Sequence, residues 1–250
     1  TKELLIISQD TSAYGLDLKF EETLVKGKKL KTNIYNLVNE LASLGIWVRL
    51  HYIYPYPHVK QLIPLMDQNR VLPYLDVPFQ HAHPDVLKRM ARPSNNVHDL
   101  EQISEWRSIN RDLSIRSTFI VGFPGETESE FNFLLDWLEE AKIDRAGCFK
   151  YEDVSGARSN AMEGHLHDDI IQDRYDRFMS RAQQLSELKL KEKIGKTFTC
   201  IIDSVEQDRL ICRSIFDAPE IDGIVSVPNK QRHYRVGEHV TCLLYTSPSP

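Results

Sequence analysis

The chain has 250 residues and a net charge of −5, from 31 Lys and Arg against 36 Asp and Glu, with no long basic run. Its bulk electrostatics therefore argue against a nucleic-acid scaffold. A chain of this length buries roughly 70–75 % of its unfolded surface, enough for one barrel or two domains. No eighteen-residue apolar stretch and no secretory leader occurs, so the reading is a cytoplasmic protein with no membrane partner.

In chain order, a strand is expected at Leu4 to Ser8, followed by the polar group Gln9-Asp10-Thr11-Ser12. Ile34, Leu37, Val38, Leu41 and Leu44 recur at helical spacing, and Gly45 closes that helix. Trp47 to Tyr54 reads as strand, Val59 to Met66 as helix, and Leu72 to Pro78 as strand, which ends at Gln80-His81-Ala82-His83. Helices follow at Pro84 to Met90, with proline in the first turn, and at about Val97 to Ile109.

The densest signal is Ser117 to Thr127. Thr118 to Val121 is an apolar, β-branched strand, and Gly122 and Gly125 let a backbone turn approach a ligand without a Cβ. Thr127 and Glu130 then form a capping box for a helix whose N–H groups point toward the strand's C-terminal end. The plain alternative is an ordinary strand-to-helix turn that binds nothing. A strand from Ala146 to Tyr151, carrying Lys150, completes a run of βα units. Such a run demands a parallel sheet with helices outside it, closed as a (β/α) barrel or part of one, with chemistry at the strands' C-terminal ends.

After Val154 the pattern changes. A polar stretch leads into a helix with the apolar face Tyr175, Phe178, Met179, Ala182, Leu185 and Leu188, ended by Gly195. Thr197 to Val205, Arg209 to Ser214, Ile224 to Val227 and His239 to Thr241 are short strands of a small β-barrel or sandwich. The expected division is 1–155 for the barrel, 156–195 for a helical connector, 196–241 for the β-domain and 242–250 for a non-native tail. The absence of an initiator Met at Thr1 reads as a fragment.

Individual polar groups have bland readings as well. Asp10 to Ser12 can cap a turn, and Lys150 can be a solvated loop lysine. The pair His81 and His83 lacks a third ligand at metal spacing, so no metal site is assigned. Cys148, Cys200, Cys212 and Cys242 are too dispersed for a disulfide scaffold or a clustered metal site, and read as buried thiols.

Taken together, five segments resemble the methylthiotransferases of the radical S-adenosylmethionine (SAM) class: Ile7 to Gly15, Leu72 to His81, Val86 to Pro93, Arg116 to Thr127, and Asp217-Ala218-Pro219-Glu220-Ile221-Asp222-Gly223. The resemblance covers roughly Glu3 to Thr241 and is strongest to the branch that modifies an aspartate of small-subunit ribosomal protein S-twelve. It implies an α/β fold, a partial radical-SAM (β/α) TIM-like barrel followed by a small all-β TRAM-type barrel. It also implies SAM and two [4Fe–4S] clusters as cofactors, the cluster cysteines lying upstream of Glu3, so that this polypeptide alone would be inactive.

Carried over by position, Gly122, Gly125 and Glu126, with Gln9 and Asp10, are expected at the SAM site. Gln80 and His81 are expected to touch SAM or substrate, Glu220 and Asp222 to dock the substrate, and no catalytic residue is assigned. The ribosomal protein or small subunit and an electron donor are the expected partners, and tRNA is not. From Lys196 to Thr241, six Lys or Arg face seven Asp or Glu, a poor surface for holding RNA. A tRNA-modifying relative, a metal-dependent hydrolase built on His81 and His83, and a non-catalytic binding fragment are the competing readings.

Overall fold

The computed structural model describes residues 1–92, 96–230 and 233–246, with the backbone alone at 96–98. The suspected tail therefore falls partly outside the described residues, at 247–250.

The chain forms two compact units that do not follow chain order: 1–76 with 109–114 and 190–250, and 77–108 with 115–189. In the first unit, β1 (Glu3–Ile6), β4 (Trp47–Leu50) and β5 (Tyr74–Asp76) pair in parallel, with Glu3 opposite Trp47 and Leu50 opposite Leu75. Val48, Leu50 and Leu75 are buried, as are Val59, Leu62, Ile63 and Met66 of the segment that joins β4 to β5. Helix α1 (Ile34–Ala42) starts where the Asn33 side chain accepts from the Asn36 N–H, and Gly45 beyond it has φ +70. Both are the signals a helix end needs. The segment joining β4 to β5 is 3-10 over Pro57–Leu62 and only then α2 (Ile63–Asp67), because Pro64 removes a donor that a longer helix would use.

One element has no counterpart in the sequence reading. Residues 22–31 form an antiparallel hairpin, β2 (Glu22–Val25) and β3 (Lys28–Lys31), turning at Lys26-Gly27, where both residues have positive φ. Strands of four residues rich in lysine carry too little apolar alternation to be seen.

The second unit holds α3 (Pro84–Arg89), part of α4 (Asn96–Ile109), β6 (Ser114–Val121), α5 (Glu128–Ala141), β7 (Arg145–Lys150) and α6 (Asp168–Lys191). β6 and β7 pair in parallel from Arg116 opposite Arg145 to Val121 opposite Lys150. Ile115, Ser117, Phe119 and Val121 are fully buried, and Phe119 packs on Trp137 and Phe178 at ring separations of 6.0 and 5.3 Å. On α6 the buried stripe runs Ile171, Arg174, Phe178, Ala182, while Leu188 is exposed. The expected face is buried at Phe178 and Ala182 and half-buried at Tyr175, Met179 and Leu185; it extends toward the N-terminus through Ile171 and the charged Arg174.

In the first unit, residues 197–243 form the antiparallel sheet β10-β9-β8-β11, from β8 (Thr197–Val205), β9 (Arg209–Ser214), β10 (Val225–Pro228) and β11 (His239–Leu243). β11 runs past the boundary expected at Thr241: Cys242 pairs with Phe198, Leu243 with Thr197, and the Leu244 N–H donates to the Lys196 carbonyl. These residues belong to the β-domain rather than to a tail. Cys200, Cys212 and Cys242 meet in its core with Ile202 and Leu210, so thiols 12 and 30 positions apart do converge, because three neighbouring strands turn them to one face. No described helix is long and apolar enough to cross a membrane.

Candidate functional site

The turn after β6 is held together by its own acid. The Glu126 carboxylate accepts a short hydrogen bond from the Gly122 N–H and another of 3.1 Å from the Phe123 N–H. Arg174 of α6 donates to the Glu126 carbonyl at 2.9 Å and lies 3.5 Å from its carboxylate. An added Cβ at Gly122, whose φ is +81, would lie 2.7–2.8 Å from Ile171. Gly125, at φ +76, donates its N–H to the Gly164 carbonyl at 2.8 Å, and its open side faces Arg89.

Each of these three residues thus has a partner inside the protein. The space of the absent Cβ at Gly122 is filled by Ile171, and the turn amides of Gly122 and Phe123 are taken by Glu126. The missing Cβ serves helix packing.

His81 approaches the same acid from the other side. Its Nδ1 accepts from the His83 N–H at 2.9 Å, so the neutral ring carries its proton on Nε2, which points at Glu126 Oε1 from 3.7 Å. Neither facing atom has a hydrogen-bond partner in the structure. Burial pushes the His81 pKa down, with Glu126 opposing, so the ring is neutral at physiological pH. Gln80 beside it has φ +69; its N–H donates to the Thr118 carbonyl, and its own carbonyl accepts from Ile120, which fixes it alongside β6.

The two histidines do not share a ligand position. His83 caps α3, accepting from the Asp85 N–H at 3.3 Å, and lies 3.7 Å from Glu130. His83, Asp85 and Glu130 have ligand-type atoms within 4.8 Å of one another. Glu130 is already engaged by Arg89 Nη2 at 2.9 and 3.0 Å and by the Thr127 N–H and hydroxyl. Burial raises its pKa, but those donors outweigh it and hold the carboxyl below its ordinary value. A guanidinium holds the place a cation would take.

In the first unit, Asp10 is a cap. Its carboxylate accepts from the Ala13 N–H at 3.2 Å, the Ser12 hydroxyl at 2.6 Å and the Tyr56 hydroxyl at 3.0 Å. Gln9 is exposed. Beside them a cavity of about 270 Å³ is lined by Ser12, Phe20, Lys31, Tyr35 and His58 among others.

The Asp217 to Asp222 loop, expected to dock substrate, is largely used internally. Asp217 is buried and takes the Ser214 hydroxyl, while Asp222 takes the Tyr74 hydroxyl at 2.7 Å and the Ala218 N–H at 2.9 Å. Of its acids only Glu220, at φ +68, is exposed, next to the exposed Ile221. Close by, Glu3 joins Arg49 and Arg213 at 2.8 Å each, Arg213 also forks onto Asp203, and the Arg49 guanidinium lies 4.7 Å from the Tyr74 ring centre. These ties anchor the Asp-Ala-Pro-Glu-Ile-Asp-Gly motif to β1, β4 and β5.

The cysteines do not suit an iron–sulfur cluster. Cys148 is buried on β7, and burial pushes its thiol up to about 12; Cys212 is likewise pushed up to about 12. Cluster ligation needs thiolates; the hydrogen bond between Cys200 and Cys242 pushes the first up and holds the second down at about 7, but among the described residues no three cysteine sulfurs come within ligand distance of one another.

Sequence reasoning missed Arg174 and Ile171, the two α6 residues that complete the turn. Their only signal was the period of α6, in which Arg174 shares the face of Ile171 and Phe178.

Residues 194–247 match the TRAM domain family. Curated relatives named ribosomal protein uS12 methylthiotransferase RimO are 55 % identical over 96 % of the chain in Roseobacter denitrificans and 58 % identical over 89 % in Jannaschia sp.. The chain is a homologue of the RimO proteins. It spans about half the length of these relatives, 51 % and 48 % respectively. Among solved structures, coproporphyrinogen III oxidase (HemN) from Escherichia coli, described as a radical SAM enzyme, aligns over 71 % of this chain and 49 % of its own, with a TM-score of 0.51 at 12 % identity. That likeness establishes the fold alone, parallel strands joined through helices, and the TRAM match accounts for the antiparallel sheet.

Proposed function

We propose that this chain is part of a radical-SAM methylthiotransferase that places a methylthio group on the β-carbon of an aspartate in ribosomal protein uS12. The observation that carries this reading is its identity to RimO relatives, 53–58 % over most of its length. In the whole enzyme, bound SAM and two [4Fe–4S] clusters supply the radical chemistry and the sulfur, with an electron donor as a further partner and the cytoplasm as its place of work. The four thiols present do not fit a cluster, and no step is routed through them.

What this chain contributes is shape and protonation state. Glu126, anchored by Arg174, fixes the turn from Gly122 to Gly125 from behind, so the turn's outer surface is rigid where SAM would lie. His81 is buried and faces Glu126 at 3.7 Å without a hydrogen bond, so Gln80, held alongside β6, is the residue of that pair assigned to ligand contact. Glu220 is the charge left to meet a basic ribosomal protein, and the net −1 of Lys196 to Thr241 favours such a partner over tRNA.

Mass spectrometry of ribosomal proteins and tRNA nucleosides from cells that carry the complete gene tests the reading. A methylthio adduct on the uS12 aspartate is expected. The same adduct on tRNA adenosine, with uS12 unmodified, would overturn it.

A further inference from the structure

The acidic total conceals one basic projection. Lys26, Lys28, Lys29 and Lys31 fall within six residues that contain no acid, at the turn and on the second strand of the β2–β3 hairpin. All four are exposed, and none makes an ion pair among the described residues. The hairpin pairs only with itself, and Leu24 on it is 70 % exposed. A two-stranded ribbon with both faces in water is marginal alone, so four unpaired cations on it need another reason to be there.

The cavity of about 270 Å³ beside β3 supplies one. Lys31 belongs to both the hairpin and the cavity wall, which also carries Phe20, Tyr35, His58 and the helix-capping Asn33. Phe20 and the preceding Lys19 are both held in the left-handed region, at φ +58 and +50. Side chains rarely adopt that conformation, and it clusters at ligand clamps. A small cavity with aromatic and imidazole walls, joined through Lys31 to Lys29 on the same face of β3 and to Lys26 at the turn, is the pattern for one unstacked base and the phosphates that follow it.

We propose that the β2–β3 hairpin and this cavity bind single-stranded RNA, with one base against Phe20 and the backbone phosphates along Lys31, Lys29 and Lys26. The proposal rests on the reading that the substrate is a ribosomal protein, since that substrate is assembled among RNA phosphates. The hairpin would then position the enzyme on the ribosomal particle rather than on the free protein.

The test uses the chain of 250 residues, with no cluster or SAM, titrated with a fluorescein-labelled mixed-sequence 12-nucleotide RNA at several salt concentrations. Binding is expected to weaken steeply with salt. Replacing Lys26, Lys29 and Lys31 together by Gln should weaken it about tenfold at 0.1 M salt and lower the log–log salt slope by about 2, from three lost single-strand phosphate contacts. Phe20→Ala should weaken binding about tenfold with the slope unchanged, since stacking carries no counterion term. An unchanged slope in the triple variant would overturn the proposal, as would equal or tighter binding to phosphatidylserine vesicles or polyglutamate. Failure here leaves methylthio transfer to uS12 untouched, and failure of that transfer leaves the RNA titration readable.

Discussion

Gly122 is constrained twice, by a φ of +81 and by Ile171 occupying the space of its absent Cβ. Gly156 has φ +83 with nothing within 4 Å. Gly156→Ala should therefore cost only the left-handed penalty of about 1–2 kcal/mol. Gly122→Ala should cost about 2–4 kcal/mol, the excess coming from the clash. In urea unfolding, Gly122→Ala combined with Ile171→Ala should be less damaging than the sum of the two, by about 1 kcal/mol. Additive costs would mean that Ile171 simply moves aside. The sequence made Gly122 and Gly125 legible as a turn, but not what fills the space beside Gly122, because Ile171 lies 49 positions later, at the start of α6 and before the apolar residues that mark its face. Asp10 was legible in its ordinary role, as a cap.

At the scale of elements, strands rich in β-branched residues and helices with clear stops could be read directly: β6, β7, α5 with its Thr127–Glu130 box, and the β-domain strands all lie within a few residues of their expected places. The β2–β3 hairpin could not, since its side chains satisfy neither a core nor a period. The end of β11 was lost for another reason, because a serine- and proline-rich terminus drew attention from two good strand residues. α6 joins α5's turn through Arg174, which is 3 % exposed. Arg174→Met keeps the packing volume but leaves the Glu126 carboxylate buried without its cation, so a loss of about 3–5 kcal/mol is expected in urea unfolding. Adding Glu126→Gln should recover part of it. A cost below 1 kcal/mol would show that the amides of Gly122 and Phe123 suffice to hold the acid.

At the scale of the molecule, the first unit is closed by charges drawn from opposite ends of the chain. Glu3 sits between Arg49 and Arg213, at 2.8 Å from each, and all three are nearly inaccessible to water. Glu3→Gln should leave buried Arg49 with the Ile215 carbonyl at 3.1 Å but no carboxylate, and Arg213 with Asp203, at a cost of about 3–5 kcal/mol, measured as a lower urea midpoint with unchanged slope. A near-neutral result would mean that Asp203 and the Ile215 carbonyl hold the arginines unaided. None of this network was visible beforehand, because contacts between residues so far apart leave no local pattern, and the Asp-Ala-Pro-Glu-Ile-Asp-Gly loop looked like an outward-facing motif. The bond from Arg213 to Glu3 spans 210 positions, and that span sets a clock for biosynthesis. At about 5–20 residues per second, β1 leaves the ribosome roughly 10–40 s before the arginine that pairs with it exists. During that interval the second unit, whose residues are made in between, can already fold, while the apolar strands of the first stay exposed and depend on chaperones or on slow elongation to reach their partner.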